Sequence, residues 1–290
     1  MAKLTWHETG KKFYETGIKD VALYVWDETV ANTEYVANDA SDATFVAGKY
    51  YSKTTVSSVD TYAVLDTKPN DWDTDSGYLS YYKLNPTEYS NGVAWNGVTS
   101  LSETPSGGEA SDLYADDDKY LSLYSEEQLG ASIEAYTYPD EWEQCDGAAT
   151  VDGVGLKQQT RKMFGLAYIT TVGNDTNGND EGEKLHLLYG CKASPSDRSY
   201  ATINDSPEAI TFSWELTTTK QEVTGYKKTA LITIDTTKLT PGSDNTGKSN
   251  TQYLALKALV QGSANNEPTL PKPDVVLAMM EGAGLTSGEG

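Results

Sequence analysis

A stretch near the C-terminal end of the sequence has the residue types of a phosphate-binding loop. The spacing G-x-x-x-x-G-K-[ST] is matched by Gly242, Gly247, Lys248 and Ser249. In such a loop the backbone amides surround the phosphates, the lysine contacts them, and the hydroxyl holds Mg²⁺. The spacing therefore raises the hypothesis of a nucleotide site, which the surrounding elements must support.

The elements around this loop favour a different interpretation. A strand is predicted at 230–235 and a helix at 251–262, but the segment TKLTP separates the strand from the loop. Asp244 also places a negative charge where a phosphate would bind, and no later strand ends in an Asp that could hold the metal. We therefore interpret the stretch as a polar connector, with Ser249 or Asn250 capping the helix.

Two groups of acidic residues could also do chemistry. Two carboxylates flanking a sugar bond can hydrolyse it, and the candidates for that role are Glu126, Glu127, Glu134, Glu141 and Glu143. The run Asp116-Asp117-Asp118, with Glu109 and Asp112 upstream, offers the oxygen ligands of a divalent cation. It lacks the EF-hand spacing, however, and we interpret it as a solvated loop before the strand KYLSLY.

Histidines and cysteines are too few for most other catalytic or metal sites. His7 and His186 are the only histidines, so a site built from several imidazoles of one chain is excluded. His186 lies between two leucines of a predicted strand, which is typical of a surface or packed histidine. Cys145 and Cys191 are far apart in sequence and are predicted to be reduced thiols. We expect no cofactor, no metal ion and no enzymatic activity.

The charge of the chain limits its partners. Its 290 residues carry a formal net charge of −21, and the sequence pI is near 4.3. A field of this sign repels nucleic acids and anionic membranes, and no basic stripe that could bind DNA is present. No apolar run is long enough to cross a bilayer. The 20 tyrosines, against 4 phenylalanines, suit half-buried strands and interfaces.

The elements that would position these residues are mostly strands. Alternating apolar and polar residues or apolar runs predict strands at 20–26, 130–138, 164–172, 184–191, 209–217 and 230–235. The Asn/Asp/Gly segment 173–182 is predicted to be a long hairpin connection, and PDEWEQC (139–145) a single helical turn. Two polar strand faces result, formed by Ser132, Glu134 and Tyr136 on one strand and by Thr211, Ser213, Glu215 and Thr217 on the other.

This order of elements predicts a mainly β fold with helices at the C-terminal end. We expect an antiparallel β-sandwich or barrel with a flanking short helix. The predicted parts are a discontinuous core of residues 1–26 and 92–248, an inserted acidic, tyrosine-rich β module at 27–91, and a C-terminal helical segment with a loose tail at 249–290. Within them we expect an arm at 1–19, a second C-terminal helix at 273–282 and the tail at 283–290.

Two segments of the predicted core carry a resemblance to a known family. They are the run SPEAITFSWELTTT (206–219) and the phrase EAYTYPDEW (134–142). Through them, and across roughly 92–236, the sequence resembles the major tail proteins of siphophages, the tail-tube subunits of the phi13-type family. The likeness extends to GIKDVALYV (17–25) and LPKPDVVLAMM (270–280) but does not cover the insert, whose role is therefore not implied.

The resemblance implies subunits that form hexameric rings and stack into a tube around a DNA channel. An acidic wall suits such a channel because like charge keeps DNA from adhering, so that it can slide. The candidates for the channel lining are Ser132, Glu134, Tyr136, Thr211, Ser213, Glu215 and Thr217. The segment TPSGGEASDLYADDDKY matches a region that such subunits use to contact neighbours, and the candidates there are Glu109, Asp112, Tyr114, Asp116, Asp117 and Asp118.

The predicted function is that of a structural virion protein. It would assemble in the host cytoplasm, contact further copies of itself and the tape measure and tail terminator proteins, and conduct genomic DNA without binding it specifically. The insert would project from the tube exterior, because inside the channel it would block the DNA. Two alternatives stay open: a carbohydrate-binding or carbohydrate-active protein on a β scaffold, and a monomeric adhesin-like module that binds through the insert.

Overall fold

The fold is mainly antiparallel β-structure, as predicted. The computed structural model describes residue 6 and residues 8–26, 50–56, 59–65, 81–83, 89, 92–200, 202, 209–263 and 267–284. The strands are β1 (Phe13–Val25), β2 (Tyr50–Val56), β3 (Val59–Leu65), β4 (Tyr81–Lys83), β5 (Val93–Ala94), β6 (Val98–Ser106), β7 (Ala110–Ala115), β8 (Asp118–Tyr124), β9 (Gln128–Ala135), β10 (Ala148–Val151), β11 (Val154–Lys157), β12 (Phe164–Asn174), β13 (Gly178–Ala193), β14 (Phe212–Thr217) and β15 (Leu231–Asp235). The helices are α1 (Glu143–Asp146), α2 (Thr251–Gln261) and α3 (Pro273–Met279), and 3₁₀ turns lie at Asp140–Trp142, Thr236–Lys238 and Gly247–Ser249.

The largest sheet is bent into the two halves of a sandwich. Its strand order is β5-β1-β12-β13-β14-β9-β6, and β15 also pairs with β13. β13 joins the halves, because residues 184–188 pair with β15 whereas Lys192 and Ala193 pair with β14. The chain bends at Gly190, which has a φ of 62° and where a Cβ would lie 2.3 Å from the Thr219 carbonyl oxygen. The described strands form a sandwich and no closed barrel.

The two halves of the sandwich enclose a core rich in tryptophan. Leu23 of β1 and Ile133 of β9 are both fully buried in this core. The predicted helical turn is confirmed as the 3₁₀ turn that leads into α1, and it places Trp142 at the centre of this core. The ring of Trp142 lies 4.6 Å from that of Trp95 and 5.1 Å from that of Trp214. The 3₁₀ turn therefore contributes a large aromatic side chain to the core of the sandwich.

The other face of the β1–β12–β13 half is covered by the C-terminal helical segment. Ile169 of β12 and Leu187 of β13 point away from the tryptophan core and pack in a second cluster with Tyr253, Leu256 and Val260 of α2. β12 is therefore buried on both faces, which explains why its sequence FGLAYI is a continuous apolar run. Asn250 caps α2, since its side chain accepts hydrogen bonds of 3.1 Å from two backbone amides of the first turn.

Two sequence predictions have the wrong bounds at the N-terminal side of this sheet. The arm predicted at 1–19 is strand from Phe13 onward, because β1 pairs with β12 up to the end of that strand. The long connection predicted at 173–182 is short, because β12 extends to Asn174 and β13 begins at Gly178. In both cases the antiparallel ladder continues through residues that the sequence pattern assigned to a loop.

The C-terminal elements agree with prediction except at the tail. The predicted helices are confirmed as α2 and α3. The loose tail predicted at 283–290 is wrong for its first two residues, because Ala283 is buried and Gly284 pairs with Leu239. Residues 285–290 lie outside the described residues.

Part of the predicted insert is described. β2, β3 and β4 form a separate three-stranded antiparallel sheet in the order β3-β2-β4, which agrees with the predicted β-rich character. Tyr89 pairs with Trp26 and with Leu270 in isolated bridges, so the end of the insert returns to the core. The rest of 27–91 lies outside the described residues, and the exterior position of the module stays a prediction.

Candidate lining and assembly surfaces

The two polar strand faces predicted from the sequence form one continuous surface. β9 and β14 are neighbours, and their register places Ser213 opposite Glu134. The same register places Glu215 opposite Ser132, and Thr217 lies on the same side at the end of β14. The alternate residues of both strands are buried or half-buried towards the sandwich core, so these five side chains point away from it. We call these five residues the polar face.

The two remaining candidates for the lining lie at the ends of these strands. Tyr136 follows β9, and its backbone amide donates a hydrogen bond of 2.9 Å to the Gly97 carbonyl oxygen. Its side chain is 54% exposed. Thr211 precedes β14 and is also exposed. The structure therefore brings five of the candidates together on paired strands and leaves these two at the margins of the surface.

The polar face carries two carboxylates among hydroxyl groups. Glu134 and Glu215 contribute carboxylates, and the Ser100 hydroxyl of the adjacent strand β6 donates a hydrogen bond of 3.2 Å to Glu134 Oε2. Lys192 of β13 lies opposite Thr217 at one end of the surface. The face is therefore weakly negative, and its hydroxyls can hydrogen-bond water in place of a ligand.

β6 is the strand that borders this surface. It pairs with β9 from Val98 to Ser106, and no described strand pairs with its other side. It is nine residues long, and its residues after Leu101 are exposed. An unpaired strand edge offers backbone donors and acceptors to a further strand. Pro105, which cannot donate, limits such pairing near the end of β6.

The acidic run lies at the tip of a projecting hairpin. β7 and β8 pair only with each other among the described strands, and nearly all of their residues are exposed. Asp116 and Asp117 occupy the two turn positions, with φ values of 53° and 62°. A two-residue hairpin turn requires such values, and Asp tolerates them. Asp118 begins β8, so the predicted loop is this tight turn.

The other candidates for neighbour contacts lie along the same hairpin. The backbone amide of Glu109 donates to the Ser125 hydroxyl at 3.1 Å, which closes the base of the hairpin. Asp112 forms an ion pair of 2.8 Å with Lys119, and the hydrogen bond from this lysine lowers the pKa of Asp112. Tyr114 is 71% exposed. The six candidates thus share one projecting element.

Sequence reasoning missed the apolar side of this hairpin. Leu113 lies opposite Leu121, and Leu123 follows on the same side of β8. These side chains are 44%, 38% and 54% exposed, respectively. The alternation in SDLYADDDKYLSLY was the available signal. We call these three residues the leucine face.

A second hairpin, formed by β10 and β11, was also missed. Its turn is Asp152-Gly153, with φ values of 51° and 81°, and an Asp-Gly pair between apolar residues is a strong hairpin signal. On its inner side the Thr150 hydroxyl donates a hydrogen bond of 2.9 Å to Glu143 Oε1 of α1. The register places the apolar residues together on the other side. We call that side the valine face; it consists of Ala149, Val151, Val154 and Leu156.

The loop that matches the phosphate-binding spacing is closed by its own carboxylate. Asp244 Oδ1 accepts hydrogen bonds from the Ser249 hydroxyl and from the backbone amide of Thr246, the latter at 2.8 Å. These bonds hold the pKa of Asp244 below its usual value. Lys248 Nζ donates instead to the Asp180 carbonyl oxygen at 2.8 Å. The donors that would bind a phosphate have partners within the chain, as expected of a polar connector.

His186 is packed within the sheet. Its ring stacks on Tyr168 with a centroid distance of 4.5 Å, and its Nε2 lies 3.0 Å from the Thr170 hydroxyl. The carboxylates of Glu15 and Glu103 lie 3.6 Å and 3.8 Å from its ring nitrogens. Burial lowers the pKa of His186 in spite of these two carboxylates. His186 is therefore a packed histidine, one of the two interpretations that the sequence allowed. The side chains around its ring come from β1, β6 and β12, so this residue of β13 links four strands.

The carboxylates considered for sugar hydrolysis are spread over several elements. Glu126 forms an ion pair of 2.8 Å with Lys220. Glu143 accepts the bond from Thr150, and Glu134 accepts the bond from Ser100. Glu127 and Glu141 are exposed. Three of these five carboxylates therefore accept hydrogen bonds from donors of the same chain, and they do so on an open surface.

The two cysteines are free thiols in the interior. Cys145 of α1 and Cys191 of β13 are both buried. Burial raises the pKa of Cys145 to about 12, which makes it a weak nucleophile at neutral pH.

No group of three or more His, Cys, Asp or Glu side chains within the described ranges is placed to hold a metal ion. No helix in the described part of the chain is long and apolar enough to cross a membrane. No protein-family model matches the chain, and no curated protein matches it significantly in sequence.

Proposed function

We propose that this chain is the subunit of a phage tail tube. Copies would assemble into hexameric rings, and the stacked rings would conduct DNA into the host cell. The observation that carries the proposal is the polar face, which is bordered by an edge of β6 that no described strand pairs with. One copy thus exposes a surface suited to a channel wall and, beside it, backbone groups able to pair with the next copy.

The chemistry of the polar face supports a lining role. A wall that conducts a polyanion must not bind it, and cations on the wall would release counterions from DNA and hold it. Glu134 and Glu215 supply the repelling charge, and the hydroxyls of Ser132, Ser213 and Thr217 supply a hydrated surface between them. The net charge of −21 adds a long-range field of the same sign.

The incomplete pairing of the strands supports self-assembly. A strand edge as long as that of β6 is usually covered or paired in a stable protein. An isolated two-stranded hairpin is marginally stable in water, yet β7 and β8 project with the leucine face exposed. Contacts with neighbouring copies would cover both features, which is what a ring-forming subunit requires.

The proposal also assigns partners and a location. The protein would assemble in the host cytoplasm and function in the virion tail, in contact with the tape measure and tail terminator proteins. It would need no cofactor and would catalyse no reaction. Residues 27–91 would lie on the outside of the tube.

Negative-stain electron microscopy of the purified protein tests the proposal. We expect rings or hollow tubes whose abundance rises with protein concentration. Analytical ultracentrifugation of the same samples would measure the mass of the smallest assembled species. A monodisperse monomer at the highest attainable concentration would contradict the proposal and would favour a monomeric binding module or a β-scaffold enzyme.

A further inference from the structure

Two aromatic rings and a buried carboxylate form a cage at one end of the sandwich. Tyr138 follows β9, Phe212 begins β14, and their rings meet edge to face with a centroid distance of 5.4 Å. Asp146 ends α1, and its side chain is only 9% exposed. The Trp214 indole donates a hydrogen bond of 3.1 Å to Asp146 Oδ1, which leaves Oδ2 for a second donor. A carboxylate as buried as this one needs a cation beside it, because an unpaired charge in the interior is costly.

Arg198 supplies that cation. Its Nη2 donates a hydrogen bond of 2.6 Å to Asp146 Oδ2, and its Nη1 donates one of 3.4 Å to the Tyr138 hydroxyl. The guanidinium carbon lies 5.6 Å from the centre of the Tyr138 ring and 5.3 Å from that of the Phe212 ring, within the range of cation–π attraction. The guanidinium group is therefore paired with a carboxylate and flanked by two aromatic rings.

The chemistry of the cage favours a guanidinium group over an ammonium group. A guanidinium group is planar, so different nitrogens can donate to the carboxylate and to the hydroxyl while the group lies against the rings. It is also more weakly hydrated than an ammonium group and loses less on entering a partly buried site. The only other arginine of the chain is Arg161, and its Nη2 donates to the backbone carbonyl oxygen of Asp146. The carboxylate of Asp146 is therefore paired with Arg198 alone of the two arginines.

The segment that carries Arg198 has left the sheet. The last bond before it joins the Ser194 amide to the Glu215 carbonyl oxygen at 2.8 Å. Residues 195–200 belong to no strand or helix, and their side chains are half-buried or exposed; we call them the strap. A segment with few buried contacts opens at a low cost in free energy. The cage can therefore lose Arg198 while the sandwich stays folded.

We propose that Asp146, Tyr138 and Phe212 form a binding site for a guanidinium group, in which Arg198 is a tethered ligand. When the strap opens, the buried carboxylate loses its partner charge, and the vacated site binds a free guanidinium compound in its place. The strap is closed while Arg198 occupies the site and open while another guanidinium group does. The site lies within one copy, so it is independent of the proposed function.

Chemical complementation of Arg198→Ala tests the site. The variant removes the tethered ligand and leaves the cage, so ethylguanidinium chloride should bind to it, as measured by titration calorimetry. At about ten times its dissociation constant, the compound should raise the melting temperature of the variant by about 2–4 °C. Ethylammonium chloride at the same concentration is the control and should not stabilise the variant, and neither compound should stabilise the wild type, whose cage is filled. No binding of ethylguanidinium, equal effects of the two compounds, or equal effects on the two proteins would overturn the site.

Proteolysis of the wild type gives a measurement that does not depend on the folding of a variant. Chymotrypsin cleaves after tyrosine, and Tyr200 ends the strap, whereas Tyr226 lies in a turn outside it; the two side chains are 73% and 76% exposed. The effective concentration of a tethered ligand is on the order of millimolar. Ethylguanidinium at several times that concentration should displace Arg198 and speed cleavage after Tyr200 about threefold, with cleavage after Tyr226 unchanged. An unchanged rate at Tyr200, or equal acceleration at both tyrosines, would contradict a tethered ligand.

The variant Arg198→Lys separates the guanidinium group from its charge. Lysine keeps a positive charge but cannot donate to Asp146 and Tyr138 from a planar group. We expect faster cleavage after Tyr200 in this variant than in the wild type, with cleavage after Tyr226 again as the internal control. A wild-type rate at Tyr200 would show that any cation closes the strap and would contradict the selectivity of the site.

Discussion

At the scale of single residues, one buried carboxylate links the layers of the fold. Glu183 of β13 accepts a hydrogen bond of 2.8 Å from the Tyr253 hydroxyl and a second bond from Lys257 of α2. Lys19 of β1 lies 3.2 Å from its other oxygen. Burial alone would raise the pKa of Glu183, but the hydrogen bonds outweigh this effect and the pKa is lowered.

The change Glu183→Gln should destabilise the fold by about 2–3 kcal/mol, because it leaves a partly buried lysine without its partner charge. Urea unfolding at pH 7 measures the loss. Since the pKa of Glu183 is lowered, its stabilisation is complete above the ordinary value of 4.5 and is lost as pH falls through the folded-state value. Glu181→Gln is the control, because Glu181 accepts an exposed bond from Asn177. Equal losses of the free energy of unfolding in Glu183→Gln and Glu181→Gln would argue against a special contribution of Glu183 to stability.

His186 should make the stability depend on pH in a higher range. The unfolded chain binds a proton on this side chain near pH 6.5, whereas burial lowers the folded-state pKa below that value. The unfolded state therefore binds more protons as pH falls below about 6.5, and the free energy of unfolding decreases. Around the ring, Glu15 and Glu103 oppose this effect, whereas Lys184 reinforces it.

Unfolding of the wild type and of His186→Gln at pH 7.5 and pH 5.5 tests this dependence. The wild type should lose free energy of unfolding between these pH values, and the variant should lose clearly less. A parallel loss in both proteins would assign the dependence to other groups. His7→Gln serves as the second measurement, because it removes the remaining histidine and should leave the wild-type slope unchanged if His186 is responsible.

At the scale of elements, local periodicity predicted the strands that have one solvent face. β9 and β14 alternate, and their polar residues are exposed or half-buried whereas the apolar residues between them face the core. The first half of β1 was missed because it is exposed and because its register shifts between Thr16 and Lys19 and again before Ala22. The sequence of this half therefore shows no regular alternation of apolar and polar residues. The valine face could not be predicted from a pattern of burial, since it is apolar and exposed. The pairing of β6 with β9 beside the polar face could not be predicted either, because it depends on contacts between residues that are distant in sequence.

The capping of α2 is a prediction at this scale. Asn250→Ala should cost about 1–2 kcal/mol, because two amides of the first turn lose their acceptor. The same side chain donates a hydrogen bond of 2.9 Å to the Thr240 carbonyl oxygen. Asn250→Asp keeps the acceptor and loses the donor, so thermal unfolding should place it between the wild type and Asn250→Ala. If both variants lose the same stability, the donor to Thr240 rather than the cap would be the important contact.

At the scale of the whole molecule, the two outer faces of the sandwich differ. The β1–β12–β13 half is covered by α2 and α3, whose residues form the second apolar cluster with it. The outer side of β14, β9 and β6 is instead open and polar. A subunit with one covered and one open face has a defined inside and outside when copies close into a ring. The open face is the one whose chemistry suits a channel, so the helical segment would lie outward.

Reversal of the lining charge tests this orientation. Glu134→Lys combined with Glu215→Lys changes the wall by four charges per copy and should make assembled tubes retain short double-stranded DNA. Retention should fall steeply with salt, because it depends on the release of counterions from DNA. Glu267→Lys combined with Glu281→Lys makes the same change at exposed positions of the C-terminal segment. Co-sedimentation of DNA with tubes of each variant, followed by digestion with a nuclease too large to enter the tube, distinguishes the two surfaces. DNA retained by the lining variant should be protected inside the channel, whereas DNA retained by the control variant lies on the exterior and should be digested; equal digestion in both variants would place the polar face outside the channel.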